Sequence, residues 1–270
     1  MNERFEGIVL FNRPYKEDDA LIKVFTDRFG TKMFYLKHVK KPNHPLASQM
    51  IPLTRHEFVG MIHDQGFSFL REGTSLDMYR SNQVDYKKQV YTAYISQLVD
   101  AAIDDNVPNL ALYQLLRGSL EQINQGQVPE LITHFVEIHL LPLFGTQLNW
   151  QTCQVCDSQQ EPADFSIKLQ GRLCPHHLNH DPYRMHLNPR ALHIAALLAG
   201  LSLDQLGQIN LSKQTYQELR RLMDAIYQEF VGIRLRSKHY LDQMDQIAQK
   251  TDQLKVKRQA RKSKDKTNSE

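Results

Sequence analysis

Along residues 1–80 the apolar positions recur with a period of two. Residues 5–11 read Phe-Glu-Gly-Ile-Val-Leu-Phe, and residues 20–26 set Ile22 and Val24 against Lys23 and Phe25. Residues 31–39 alternate again, with Met33, Tyr35, Lys37 and Val39 on one face and Phe34 and Leu36 on the other. A loop bearing Pro42, Asn43 and Pro45 leads into a fourth run at 54–63. Asp64-Gln65-Gly66 then marks a hairpin turn into a fifth run at 67–72. This period belongs to strands with one face buried. Five short strands in about eighty residues fit a small barrel, for which an OB-fold is the commonest form and an SH3-like barrel the alternative.

After Asp77 the period lengthens to three and four, which predicts helices over 84–104, 109–124 and 129–144, with Gly145 as a stop. Three more are expected over 189–199, 213–231 and 237–250, with Asn188-Pro189 and Ser212 as starts. The fold class is therefore α+β: a five-stranded OB-fold barrel over 1–80, then an all-helical domain over 81–250. Between the helices, segment 150–183 lacks helical periodicity and carries the cysteines. Residues 251–270, polar and without period, read as a disordered basic tail.

Cys153-Gln154-Val155-Cys156 is followed eighteen residues later by Cys174-Pro175-His176-His177. Each half sets two soft ligands three residues apart, so that a tight turn can aim both at one ion. Between them, Asp164-Phe165-Ser166-Ile167 and Gln170-Gly171-Arg172 read as a strand, a turn and a return strand, the form of a zinc ribbon. The candidate ligands of one structural zinc are Cys153, Cys156, Cys174 and His177. His176 and His180 compete with His177, which alone repeats the three-residue step of the first knuckle. A redox CxxC would need no second knuckle, and an odd cysteine count speaks against a disulfide framework.

Catalytic zinc needs an open coordination position and a carboxylate beside it. The nearest His/Glu pairing, His134-Phe135-Val136-Glu137, has the spacing of neither a zinc deaminase nor an HExxH helix. No phosphate-cradling glycine loop and no Ser/His/Asp set occurs. The expectation is a protein that is not an enzyme. No apolar run reaches the ~18 residues of a membrane span, and Met1-Asn2-Glu3-Arg4 shows no signal-peptide pattern, so a cytoplasmic protein is expected.

A net charge of +3 conceals an uneven distribution: residues 81–150 carry 3 basic and 7 acidic side chains, residues 255–270 carry 7 and 2. Such asymmetry points to a polyanion at selected surfaces. The sharpest candidate is Leu36-Lys37-His38-Val39-Lys40-Lys41, where three lysines leave a strand for a loop. Lys37, Lys40 and Lys41 at a barrel rim suit phosphate contacts, and Arg55 and Arg71 on later strands could extend that surface. Tyr35 could supply base stacking. The plain alternative is that these are exposed lysines and a core tyrosine.

Taken in order, several segments resemble the RecO family of bacterial recombination mediators. They are Gly7-Ile8-Val9-Leu10 with Tyr15-Lys16-Glu17-Asp18-Asp19, Phe25-Thr26-Asp27-Arg28-Phe29-Gly30, the lysine stretch 36–41, and Pro52-Leu53-Thr54. Farther on lie Phe135-Val136-Glu137-Ile138-His139-Leu140-Leu141, the cysteine segment and Leu235-Arg236-Ser237-Lys238. The resemblance implies a non-enzymatic role in RecF-pathway repair, with binding of single- and double-stranded DNA and annealing of complementary strands. It also implies RecR as partner, the acidic C-terminal tail of single-strand-binding protein (SSB) as a target, RecA as the protein loaded, and a nucleoid-associated location. Lys37, Lys40 and Lys41 match the family's basic loop, with Arg55 and Arg71 placed less closely. This chain departs from many relatives in having His177 in place of a fourth cysteine, and His38 and Val39-Lys40 in place of Gly and Ala-Arg. The reading from another class is a zinc-ribbon interaction or regulatory module that binds RNA or protein.

Overall fold

The computed structural model describes residues 2–247 and 250. Residues up to Ile233 form one compact unit and residues from Arg234 a second. Five strands open the chain: β1 (Asn2–Tyr15), β2 (Asp19–Thr26), β3 (Gly30–Leu36), β4 (Arg55–Met61) and β5 (Phe69–Asp77). The long β1 pairs with β4 through its first half and with β2 through its second, bending at a bulge between Val9 and Phe11. The sheet order is β3-β2-β1-β4-β5. It closes where Ser68 lies parallel to Phe34: the Tyr35 amide donates to the Ser68 carbonyl at 3.0 Å, and the Ser68 amide to the Met33 carbonyl at 2.9 Å. This closed ring of five strands is the OB-like barrel expected from the alternation.

The barrel core holds Phe5, Val9, Ile22, Val24, Phe34, Leu36 and Phe58. Every residue of β2 is buried, because its second face packs on the helices. Lys23 reaches Asp100 at 2.6 Å and Asp105 at 2.7 Å, and Phe25 meets Tyr113 edge-on at 5.7 Å between ring centres. Gly30, at φ 68°, sits under Val107, whose carbonyl oxygen would lie 2.3 Å from any added Cβ. A side chain there would drive the loop off the barrel.

The third strand ends at Leu36, three residues earlier than expected. His38 is left-handed at φ 57°. That turn carries Val39, expected beside Tyr35 and Lys37, into the core at 8% exposure.

Helices α1 (Arg80–Val84), α2 (Tyr86–Ala101), α3 (Leu110–Asn124), α4 (Pro129–Leu140), α5 (Pro189–Gly200) and α6 (Lys213–Ile226) complete the first unit. The single helix expected over 84–104 is two, because extended Asp85 caps α2 by accepting from the Lys88 amide. Asn109, Asn188 and Ser212 cap α3, α5 and α6 in the same way. Apolar nearly throughout, α4 is the hub and packs on α2, α3, α5 and α6. A 3-10 turn, Leu141–Phe144, finishes it, and α6 passes into a π turn, Tyr227–Val231.

A hairpin of β6 (Asp164–Ser166) and β7 (Gly171–Leu173) forms within the cysteine segment, as expected for a ribbon. In the second unit residues 236–247 are helical, and Lys238 pairs with Asp242. The basic tail expected over 251–270 lies outside the described residues. Among the described residues no helix is long and apolar enough to cross a membrane.

Candidate metal centre and nucleic-acid interface

The first knuckle is a turn in which the Asp157 amide donates to the Cys153 carbonyl at 2.9 Å, with Asp157 left-handed at φ 55°. The second opens the 3-10 turn Pro175–His180, where the His177 amide donates to the Cys174 carbonyl at 3.0 Å. The hairpin brings the two together, with the Gln154 amide donating to the Arg172 carbonyl at 2.9 Å. The Gln154 side chain lies across Gly171, its Oε1 2.7 Å from where a Cβ would stand.

One ligand atom from each of Cys153, Cys156, Cys174 and His177 lies within 4.8 Å of all the others. Cys156 Sγ and Cys174 Sγ are 3.9 Å apart, and His177 Nδ1 is 3.7 Å from Cys153 Sγ and 3.1 Å from Cys174 Sγ. Tetrahedral zinc with Zn–S of ~2.3 Å and Zn–N of ~2.0–2.1 Å would separate its ligands by roughly 3.5–3.8 Å. The donor set and the count fit that ion, and the separations bracket that range. His177 joins the group. His176 and His180 are exposed, and the His180 ring packs edge-on against His177 at 5.0 Å.

Burial would raise the Cys153 thiol, but backbone N–H groups of Val155, Cys174 and Cys156 outweigh it and lower the pKa to about 6. A thiolate at neutral pH is what a metal takes. Cys156 is raised: a backbone bond from Ser158 lowers it, and desolvation with the neighbouring thiols prevails.

Two carboxylates secure the hairpin. Asp164 accepts from the amides of Phe165, His186 and Leu187 at 2.8–3.0 Å and pairs with Arg184 at 3.1 Å. Asp181 accepts from the Ser166 hydroxyl at 2.6 Å. From sequence Asp164 read only as the start of a strand, because its partners lie up to 23 residues away.

On the barrel, Lys37, Lys40 and Lys41 are exposed on the turn after β3. The turn is pinned to the β1–β2 corner, where the Lys40 amide donates to the Asp18 carbonyl at 3.0 Å. Lys40 Nζ also donates to the Glu17 carbonyl at 2.9 Å, and Lys41 stands 3.9 Å from the Asp18 carboxylate. Arg71 is exposed on β5, its guanidinium 3.6 Å from Met61 Sδ.

Arg55 does not join this surface. It pairs with Glu6 at 3.1 Å and with Glu121 of α3 at 3.8 Å, tying barrel to helix with its side chain only 18% exposed. Its partner lies 66 residues away in sequence, beyond what alternation along β4 reveals. Burial opposes its charge, but the surrounding Tyr79, Glu6 and Glu121 raise its pKa.

Tyr35 is half-buried and donates its hydroxyl to Asp19 at 2.5 Å. Its ring lies 6.0 Å from Tyr15, 6.2 Å from Phe67 and 6.2 Å from Phe69, three exposed aromatics that sequence reasoning passed over. Their signal was the step Phe67-Ser68-Phe69. With Ser68 turned inward, both phenyl rings must face out.

A closed OB-like barrel, a helical bundle centred on α4 and an inserted hairpin with a Cys3His cluster able to hold a metal ion define a class of modular proteins. The first 79 residues match the family model "Recombination protein O N terminal", and residues 83–239 match "Recombination protein O C terminal". The chain belongs to the recombination protein O family. It is 38% identical over 239 residues to the DNA repair protein RecO of Lactococcus lactis subsp. cremoris MG1363, covering 88% of this chain and 94% of that one. The RecO proteins of Enterococcus faecalis V583 (36% over 239 residues, covering 88% and 91%) and Limosilactobacillus fermentum (34% over 245, covering 91% and 90%) are similar.

Proposed function

We propose that this chain is a non-enzymatic recombination mediator. It binds single- and double-stranded DNA, anneals complementary strands and, with RecR, helps load RecA onto SSB-covered single strands in the RecF pathway, in the cytoplasm at the nucleoid. Family membership supports this reading, and the observation that carries it to residues is the lysine turn 37–41 fastened to the corner of an OB-like barrel.

Annealing needs no bond chemistry. Lysines that screen phosphate repulsion while leaving base edges accessible let two strands find register. Lys37, Lys40, Lys41 and Arg71 are the phosphate-contacting side chains of this reading. Arg55 has a structural task instead. The helical domain takes the acidic SSB tail, which raises the local concentration of protein on coated DNA. Zinc at Cys153, Cys156, Cys174 and His177 staples the hairpin: four protein ligands fill a tetrahedron and leave no position for substrate.

Binding of labelled oligonucleotides across a salt series tests the DNA step. Single-strand affinity should fall linearly in log–log form, and Lys37→Ala/Lys40→Ala/Lys41→Ala should flatten the slope by about 0.7 for each phosphate no longer neutralised. Preference for RNA, or binding indifferent to salt, would favour the zinc-ribbon interaction module.

A further inference from the structure

We infer that Tyr15, Phe67 and Phe69 form a base-stacking platform around Tyr35, so that these rings take unpaired bases and add nothing to the binding of duplex. The inference rests on the proposed DNA-binding role and adds to it which side chains hold the bases.

The backbone dictates the exposure. Ser68 is buried because its amide and carbonyl close the barrel on β3, and its hydroxyl accepts from the His63 amide at 3.0 Å. In an extended chain its neighbours must then point outward. Phe67 and Phe69 are each 39% exposed, and Tyr15 is 37% exposed. Tyr15 and Phe67 approach to 6.3 Å, and His63 adds a fifth ring 5.7 Å from Phe69. Neighbouring rings left partly in water offer a contact surface for a ligand with flat apolar faces.

Charge selects the occupant. Lys16 stands 5.5 Å from the Tyr15 ring centre, so a base on that ring has a cation beside its phosphate. Asp19 links the two halves of the surface: it accepts from the Tyr35 hydroxyl and, at 2.8 Å, from the His38 amide in the lysine turn. Rings and lysines are thereby held in one arrangement. Across the rim Lys16, Lys37, Lys40 and Lys41 are set against Glu17, Asp18 and Asp19. With four cations partly offset by three carboxylates, phosphate contact alone gives modest affinity, and stacking must carry a large share. Duplex bases are already stacked and offer only groove edges. An unpaired strand offers its ring faces, whatever its sequence.

Photocrosslinking tests this on the full-length wild type. A single strand bearing 5-iodouracil, which couples to aromatic side chains in stacking contact, is irradiated with the protein and the peptides are mapped. Crosslinks at Tyr15, Phe67 or Phe69 are expected. Phe67→Ala/Phe69→Ala should weaken single-strand binding at least tenfold with duplex binding unchanged, and Phe67→Leu/Phe69→Leu, which keeps apolar bulk, should not restore it. Binding retained in both double variants, with crosslinks only elsewhere, would overturn the inference and assign the patch to a protein partner. In that case the lysine variants would still bind weakly if the proposed DNA role holds. Absence of all DNA binding by the folded wild type would instead sink both.

Discussion

His134 and Glu137 face one another across a single turn of α4, both 1% exposed, with His134 Nδ1 2.8 Å from Glu137 Oε2. The other carboxylate oxygen accepts from Arg220 at 2.8 Å and from the Tyr94 hydroxyl at 2.9 Å. Burial would raise Glu137, but Arg220 and His134 outweigh it and bring its pKa down to about 2. His134 is lowered as well: burial and Arg220 push it down, against the pull of Glu137. In the barrel, burial alone lowers His56 to about 4. A histidine depressed in the fold binds fewer protons than in the unfolded chain. Its contribution is therefore present above an unfolded pKa of about 6.5 and is lost as pH falls through that value toward the folded one. For His56 this amounts to about 3 kcal/mol by pH 4. Glu137 adds a second loss only between about 4.5 and 2. Urea unfolding at pH 7.5, 6 and 4.5 should show stability falling steadily, and His56→Gln/His134→Gln should flatten that arm. An equal slope in the variant would place the pH dependence elsewhere. From sequence His134 and Glu137 stood out as a pair for failing a catalytic spacing; Arg220, which gives Glu137 its role, lies 83 residues on.

Elements were legible wherever local chemistry governs them. The five strands follow from alternation, and Asn109, Asn188 and Ser212 start helices that they cap by side-chain bonds. The hairpin β6–β7 follows from two knuckles and a short spacer, but its left-handed turn residue is Gln170, not Gly171. What failed were the element ends. Asp85 broke a helix that periodicity alone continued, and His38 turned β3 early. If the Cys3His group is a structural staple, its removal should be felt locally. Cys174→Ser, or chelation of the wild type, should take bound zinc from one per chain to none. Hydrogen exchange should then quicken across 150–187 while β1–β5 keep their protection. Cobalt in place of zinc should give the visible spectrum of a tetrahedral thiolate site. Full protection of the hairpin after the metal is removed would contradict the staple.

The whole molecule depends on contacts that neither half announces. Lys23 reads as the polar side of a strand, yet it sits against Asp100 and Asp105. Burial lowers its pKa, but those two carboxylates outweigh it and raise it. Arg55 reads as another rim cation and instead reaches Glu121. Barrel and helices thus pack into one unit through residue 233, and the faces that meet are invisible to any window of fifteen residues. What stays outside the seam is the lysine turn, with the aromatic rings fixed to it through Asp19. The measurement that bears most directly on the mediator reading is fluorescence-detected annealing of complementary oligonucleotides, bare and SSB-coated. The wild type should accelerate annealing on coated strands, and Lys37→Ala/Lys40→Ala/Lys41→Ala, folded and zinc-loaded, should lose most of that acceleration. A folded, zinc-loaded wild type that leaves annealing at its spontaneous rate in low salt would contradict the account.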